Sequence, residues 1–99
     1  PEAIKLIRRN RASRAFSSAA GVSFHLGVAC LNAYVVSRKQ AALASSLAKI
    51  LVADSSKFGW VQPAHFAEVG DFDTIITDSG ISEEYARGIR ERGVELIIV

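Results

Sequence analysis

The chain has 99 residues, 49% of them hydrophobic and 22% charged, and its formal net charge is +2. This length allows one domain, and the apolar content excludes an intrinsically disordered chain. The charge is too small to indicate a nucleic-acid surface. No apolar run approaches the roughly 20 residues of a membrane span, so we expect no membrane contact. The single cysteine, Cys30, excludes a disulfide framework and fits a reducing, cytoplasmic compartment.

The chain opens on Pro1 and contains no methionine, so we expect it to be a piece of a longer protein. Residues 2–9 predict a short helix with an acidic start and a basic end, and Asn10 is a suitable place for that helix to end. The basic residues cluster once. This cluster consists of Arg8, Arg9, Arg11 and Arg14. Its favoured explanation is a position near a helix C-terminus, where the helix dipole stabilises cations, and contact with a phosphate is the alternative.

Small side chains dominate residues 14–21, which predict a strand running into a glycine turn. Small residues allow either close approach of a ligand or tight packing under a helix. Residues 23–34 show no clean period and predict a long connection, of the kind that is often functional. Residues 35–48 predict a helix. Its inward stripe is expected to consist of Val36, Gln40, Leu43 and Leu47.

Residues 50–59, Ile-Leu-Val-Ala-Asp-Ser-Ser-Lys-Phe-Gly, are the most informative stretch. The apolar run predicts a strand buried on both faces, and the change to polar residues at Asp54 predicts a loop at its carboxyl end. Ligands bind at that end in open parallel sheets. Lys57, with Ser55 and Ser56, can hold a phosphate or carboxylate. It can also pair with Asp54 and hold the loop closed, and an ordinary polar turn is the simpler alternative.

Two further elements precede the last helix. Residues 60–63 predict a turn, and residues 65–69 predict either a short strand or one helical turn. Residues 72–78 predict a second buried strand that also ends at a carboxylate. Asp78 could form a carboxylate pair with Asp54, but a capping role for Asp78 is favoured.

The last helix has clear start and stop signals. Ser82 is a good N-cap, and Gly93 suits the C′ position that follows Arg92. The residues predicted to face inward are Tyr85, Ala86 and Ile89. Residues 94–99 then predict a final strand.

Apolar strands alternate with amphipathic helices from residue 35 onward. This order predicts an α/β domain with a mostly parallel sheet flanked by helices and right-handed crossovers. His25 and His65 are far apart in the sequence, and no pair of Cys or His residues has the sequence spacing of metal ligands. Nucleophile-elbow, phosphate-loop and dinucleotide motifs are also missing. We therefore expect no metal, no cofactor and no catalytic residues.

Residues 52–59, Val-Ala-Asp-Ser-Ser-Lys-Phe-Gly, resemble the signature of the effector-binding domain of DeoR-family bacterial transcription regulators. Residues 16–22 are similar to the family's strand and GADG turn, and residues 27–32 to its GLTTPN loop. Residues 72–78 and 93–99 are similar to its IDTLITD and GVEVIVV segments. The individual positions that match are Asn32, Lys39, Asp54 and Lys57.

The resemblance implies the fold shared by sugar-phosphate isomerases of the ribose-5-phosphate isomerase type and coenzyme A transferases. It implies that residues 1–99 are the C-terminal portion of the effector-binding domain. The winged helix-turn-helix and the first half of the sensor domain would lie outside this chain. The partner expected is a phosphorylated sugar or similar metabolite, DNA being contacted only through the N-terminal domain, and we expect a homo-oligomer. The candidate ligand-binding residues are Asn32, Lys39, Asp54, Ser55, Ser56 and Lys57.

The alternative function is an enzyme of the same fold, such as a sugar-phosphate isomerase. It would need a general base, for which Asp54 and Glu68 are the candidates. The chain also departs from the family pattern. The departures are at Ala20, Ala29, Cys30 and Ser37, and each removes a polar group that could face a ligand. Either the effector differs from a typical sugar phosphate, or the chain belongs to a divergent subgroup of the family.

Overall fold

The computed structural model describes residues 14–99. The helix predicted for residues 2–9 lies outside the described residues, as do Arg8, Arg9 and Arg11. The strands are β1 (Arg14–Ser18), β2 (Gly21–Ser23), β3 (Gly27–Cys30), β4 (Ala48–Val52), β5 (Ala64–Ala67), β6 (Thr74–Thr77) and β7 (Glu95–Ile98). The α-helices are α1 (Val36–Ala44) and α2 (Glu83–Glu91).

Two sheets organise these elements. Strands β1, β4, β6 and β7 form a four-stranded sheet in that order, and each neighbouring pair is parallel. This confirms the predicted α/β class with a mostly parallel sheet. Strands β2, β3 and β5 form a separate three-stranded antiparallel sheet. Because β4 and β6 are both internal and parallel, the loops that follow them emerge at the same edge.

One face of the parallel sheet carries the hydrophobic core. Leu51 of β4 and Ile75 of β6 are paired in register, and both are fully buried. Apolar side chains from both helices and from the antiparallel sheet belong to the same cluster, including Leu43, Ile89 and Val28. Burying each such side chain contributes about 1.5–3 kcal/mol, so this face is the main source of stability.

The opposite face of the parallel sheet is open in the described part of the chain. Val52 of β4, predicted to be buried, is 44% exposed. It pairs in register with Ile76 of β6, which in turn pairs with Ile97 of β7, so the three side chains share this face. Phe16 lies on the same face and is 65% exposed. The prediction of a strand buried on both faces was therefore wrong. A continuous apolar run shows that both faces can be buried, but not that a second layer is present in the same chain.

Residues 23–34 are not the predicted long connection. Gly21 begins β2 rather than closing a turn, and β3 follows after a short turn in which the Ser23 hydroxyl accepts the N–H groups of His25 and Leu26. Gly27 has φ +79, and a Cβ there would lie 2.6 Å from the Ala67 carbonyl oxygen. All of β3 is buried, so its sequence lacks the alternation that marks a half-exposed strand.

Helix α1 is shorter than the predicted 35–48 segment. A 3-10 turn over Ala33–Val35 precedes it. At its end the Ser46 hydroxyl donates to the Ala42 carbonyl at 2.6 Å, and the chain leaves the helix before Leu47. Leu47 is 77% exposed and Gln40 is also exposed, so the predicted inward stripe was wrong at these positions. The buried residues of α1 are Ala41 and Leu43.

The C-terminal half follows the predictions closely. Residues 65–69 fall mostly in β5, and a 3-10 turn over Val69–Asp71 follows. The Ser82 hydroxyl accepts the Tyr85 N–H and caps α2. Gly93 has φ +75, as its predicted C′ position requires. Strong local signals at both ends of α2 explain why sequence reasoning succeeded there.

The role of the buried sheet face can be measured with two leucines. Leu51→Ala should lower the free energy of unfolding by about 2–5 kcal/mol, because it opens a cavity in the core. Leu47→Ala is the matched control, and since Leu47 is exposed we expect a change within about 0.5 kcal/mol. Urea denaturation of the two variants gives both values. Equal losses would contradict the assignment of the core to this face.

Candidate functional site

The loop after β4 is a short, capped turn. Residues Ser55–Lys57 form a 3-10 turn, and Asp54 is its N-cap. The Asp54 Oδ1 atom accepts the Ser56 backbone N–H at 3.0 Å and also the Ser56 hydroxyl. The loop then bends at Gly59, which has φ +89 and donates its N–H to the Val22 carbonyl at 2.8 Å. The loop is thus attached to the antiparallel sheet.

Asp78 connects the loops that follow β4 and β6. Its Oδ2 atom accepts the Ser55 N–H at 2.9 Å, and its Oδ1 atom accepts the Gly80 N–H at 2.8 Å. The Ser55 N–H, followed by the Ser55 hydroxyl and the Gly80 N–H, holds the pKa of Asp78 below its usual value. This confirms the favoured capping role, because both oxygens bind backbone donors.

Lys57 and Asp54 form a loose ion pair. The Lys57 Nζ atom lies 3.9 Å from the Asp54 Oδ2 atom, and both side chains are partly exposed. The pKa of Asp54 is lowered, mainly by the hydrogen bond from the Ser56 hydroxyl. Desolvation of the carboxylate raises this pKa, and the Ser56 N–H and the Lys57 ammonium lower it further. An exposed pair of this kind contributes little stability. Lys57 can therefore turn toward another anion at small cost.

An open cleft of about 380 Å³ lies beside Lys57, and we call it the anion cleft. Its lining comes from the end of β1, the end of β3 and the segment after it, the start of α1 and the Lys57 loop. The lining residues are Ser18, Ala19, Ala20, Cys30, Leu31, Asn32, Val35, Lys39 and Lys57. Two ammonium groups and one carboxamide thus meet in a mostly apolar cleft at the carboxyl edge of the parallel sheet.

Lys39 reaches the anion cleft from the start of α1. Its Nζ atom donates to the Ser18 carbonyl at 3.0 Å and to the Ser17 hydroxyl at 3.4 Å, and it lies 5.0 Å from the centre of the Phe66 ring. An ammonium has three N–H donors, so one remains beyond these two bonds. Asn32 uses its Oδ1 atom to accept the Tyr34 N–H at 2.9 Å, which caps the turn before α1.

A second, adjoining cleft of about 300 Å³ is lined by Ala20, Ser56, Lys57, Trp60 and Gln62, and we call it the Trp60 cleft. It shares Ala20 and Lys57 with the anion cleft. Sequence reasoning did not single out its aromatic and amide side chains. The available signal was a lone tryptophan directly after Gly59, in a segment predicted to be a turn.

The structure separates the predicted site residues into two groups. Asn32, Lys39, Ser56 and Lys57 line one or both clefts. Asp54 and Ser55 shape the loop instead, since Asp54 caps it and Ser55 binds Asp78. Among the departures from the family pattern, Ala20 and Cys30 line the anion cleft. Ala29 is a buried strand residue and Ser37 is exposed on α1, so neither belongs to the cleft lining.

The candidate bases of the enzyme alternative lie in different places. Asp54 is occupied by the Ser56 donors and has a lowered pKa, which makes it a weaker base. Glu68 follows β5 at the end away from Cys30, and its Oε1 atom lies 3.0 Å from His65 Nε2. Within residues 14–99, no group of three or more His, Cys, Asp or Glu side chains could hold a metal ion. No helix in that range is long and apolar enough to cross a bilayer.

These elements form an α/β domain in which two ammonium groups face a small cleft at the carboxyl edge of the parallel sheet. The chain belongs to the DeoR C-terminal sensor domain family, whose model matches residues 1–79. The resemblance seen in residues 52–59 is thus confirmed over most of the chain.

Several regulators are similar to this chain. The deoxyribose operon repressor of Escherichia coli K12 is 34% identical over 83 residues, covering 84% of this chain and 33% of the repressor. The putative sgc region transcriptional regulator of the same strain is 32% identical over 96 residues, covering 97% and 37%. The HTH-type regulator YulB of Bacillus subtilis 168 is 28% identical over 99 residues, covering 100% and 38%. The chain therefore spans about a third of the length of these relatives.

The Asp78 bridge predicts a pH dependence of stability. The pKa of Asp78 is lower in the folded protein than the ordinary value of 3.8, so the unfolded chain takes up the proton first as the pH falls. The stabilisation is complete above that value and is lost as the pH falls through the folded pKa. Asp78→Asn should therefore lower stability at pH 7, and the difference from the wild type should narrow below pH ~4. Chemical denaturation at several pH values tests this, and a difference independent of pH would contradict it.

Proposed function

We propose that this chain is the ligand-sensing part of a bacterial transcription regulator and that it binds a phosphorylated sugar or a related anionic metabolite. The observation that carries the proposal is the meeting of Lys39, Lys57 and Asn32 at one cleft in a chain of the DeoR sensor family. Ammonium groups and amide donors are suited to phosphate oxygens, and hydrogen bonds to charged groups are stronger than neutral ones.

Ligand binding would regulate the protein by linkage. The relatives named above include a repressor and other transcriptional regulators, and this chain spans about a third of their length. We propose that a DNA-binding domain outside these 99 residues holds the operator. A ligand that binds one conformation of the sensor more tightly shifts the population toward it, and DNA affinity changes by the same coupling free energy. We expect the whole regulator to be a cytoplasmic homo-oligomer.

We also propose that residues 1–99 are the C-terminal portion of the effector-binding domain and that another part of that domain covers the open sheet face. Parallel sheets are normally covered on both faces. The exposed side chains Phe16, Val52 and Ile97 on this face support the proposal.

The open face gives a test of this domain division. In the 99-residue chain, Phe16→Glu should change the free energy of unfolding by no more than about 0.5 kcal/mol, because Phe16 is mostly exposed. In the full-length protein the same change should cost more than about 2 kcal/mol, because it places a charge under a covering layer. Denaturation of both proteins with and without the substitution measures the two values. A small change in both would contradict the proposed cover.

The proposed ligand site can be tested at Lys57. Lys57→Ala in the full-length protein should weaken binding of ribose 5-phosphate by about 10-fold to 150-fold, since a charged hydrogen bond contributes about 1.5–3 kcal/mol. Lys49→Ala is the matched control: it removes the same charge from β4 near that strand's other end, outside both clefts. Isothermal titration calorimetry compares the affinities.

Two results would argue against the proposal. Unchanged affinity in Lys57→Ala would remove Lys57 from the site. Turnover of a sugar phosphate by the purified full-length protein would favour the enzyme alternative. The relatives are transcriptional regulators, and the occupied Asp54 carboxylate supports a role without catalysis.

A further inference from the structure

The segment that carries Trp60 is held firmly beside Lys57. The Trp60 N–H donates to the Lys57 carbonyl at 3.3 Å, and the Gly59 N–H donates to the Val22 carbonyl at 2.8 Å. A Cβ at position 21 would clash with the Trp60 carbonyl oxygen and lie 2.9 Å from the Gln62 Cγ atom. Glycine at position 21 therefore lets this segment close onto the start of β2, which places Trp60 and Gln62 next to Lys57.

Trp60 is exposed although its backbone is anchored. The side chain is 62% exposed and forms one wall of the Trp60 cleft, with Gln62 as a neighbouring polar group. An exposed indole with an amide beside it suits a ligand that has an apolar face and a polar edge. A sugar ring has both, since its C–H face can lie on the indole and its hydroxyls can bond to the amide.

Ala20 allows one ligand to occupy both clefts. It borders the anion cleft and the Trp60 cleft, and its methyl side chain takes up less space there than any larger residue would. Lys57 borders both clefts as well, while Lys39 and Asn32 line the anion cleft alone. An anionic group therefore fits best in the anion cleft, and the rest of the ligand extends past Ala20 toward Trp60.

We propose that Trp60 and Gln62 form a second subsite that binds the sugar ring of a sugar phosphate whose phosphate is held at Lys57. This inference rests on the proposed function. It assigns ligand specificity to Trp60 and Gln62, because inorganic phosphate would use Lys57 but not the Trp60 cleft. A pentose or hexose phosphate would use both.

Calorimetry on the full-length protein tests the proposal with two kinds of probe. The sugar phosphates are ribose 5-phosphate, 2-deoxyribose 5-phosphate and glucose 6-phosphate, and the reference is inorganic phosphate. We expect at least one sugar phosphate to bind more tightly than phosphate. Trp60→Ala should weaken the binding of that sugar phosphate by about 8-fold. This is the effect on affinity of losing about 50 Å² of buried apolar contact at ~25 cal/mol/Å². Phosphate affinity should change by less than about twofold, within the error of such comparisons.

Two variants make the comparison specific. Val61→Ala is the matched control, because Val61 is 59% exposed and adjacent to Trp60 but lines neither cleft. It should leave all affinities unchanged. Trp60→Phe keeps an aromatic face and should retain most of the affinity. The difference in tryptophan fluorescence between the wild type and Trp60→Phe isolates the emission of Trp60. That emission should change when the sugar phosphate is added and should not change with inorganic phosphate.

The outcomes separate this inference from the proposed function. If phosphate binds in a Lys57-dependent way but no sugar phosphate binds more tightly, the subsite is wrong and the anion site stands. The same holds if Trp60→Ala leaves sugar-phosphate affinity unchanged, and an altered sedimentation of that variant would then make Trp60 an interface residue. If no probe binds in a Lys57-dependent way, the proposed function itself fails.

Discussion

The parallel pairing of β4 between β1 and β6 is the constraint on which the candidate site depends. It brings the carboxyl ends of neighbouring strands to one edge, so that the loops after β4 and β6 meet there. The Asp78 carboxylate then joins these loops by accepting backbone N–H groups from Ser55 and Gly80. Because both donors are backbone groups, the bridge sets the path of the main chain. Lys57 projects from a loop that this bridge and the Asp54 cap hold in place.

The antiparallel sheet supplies the other side of the site. The end of β3 contributes Cys30, the segment after it contributes Asn32, and the Val22 carbonyl in the middle of β2 accepts the Gly59 N–H. Lys39 reaches from α1 to the Ser18 carbonyl at the end of β1. The cleft is thus assembled from both sheets and a helix. A change in how the sheets pack would therefore alter the shape of this cleft.

Much of the fold was predictable where the signals are local. The capping roles of Ser82 and Gly93 depend only on backbone groups a few residues away, and α2 begins and ends where these two residues predicted. The change from apolar to polar residues at Asp54 likewise located the end of β4 within two residues. The predictions failed at β3, whose completely buried residues show no alternation, and at Leu47, because Ser46 bonds to Ala42 and α1 ends first.

By itself the sequence determined the α/β class and the loop that carries Lys57, because these depend on contiguous residues and their periodicity, and its motifs gave the resemblance to the DeoR family. Only the tertiary structure decided which groups share a cleft. It brought Asn32, Lys39 and Lys57 together, assigned Asp54 and Ser55 to loop hydrogen bonds, and placed Trp60 beside Lys57. The physical reason is that the cleft lining and the Ser55–Asp78 bond join residues distant in sequence, through strand pairing and the close approach at Gly21. The loop at residues 52–59 is therefore one wall of a candidate site whose other walls depend on the packing of the two sheets.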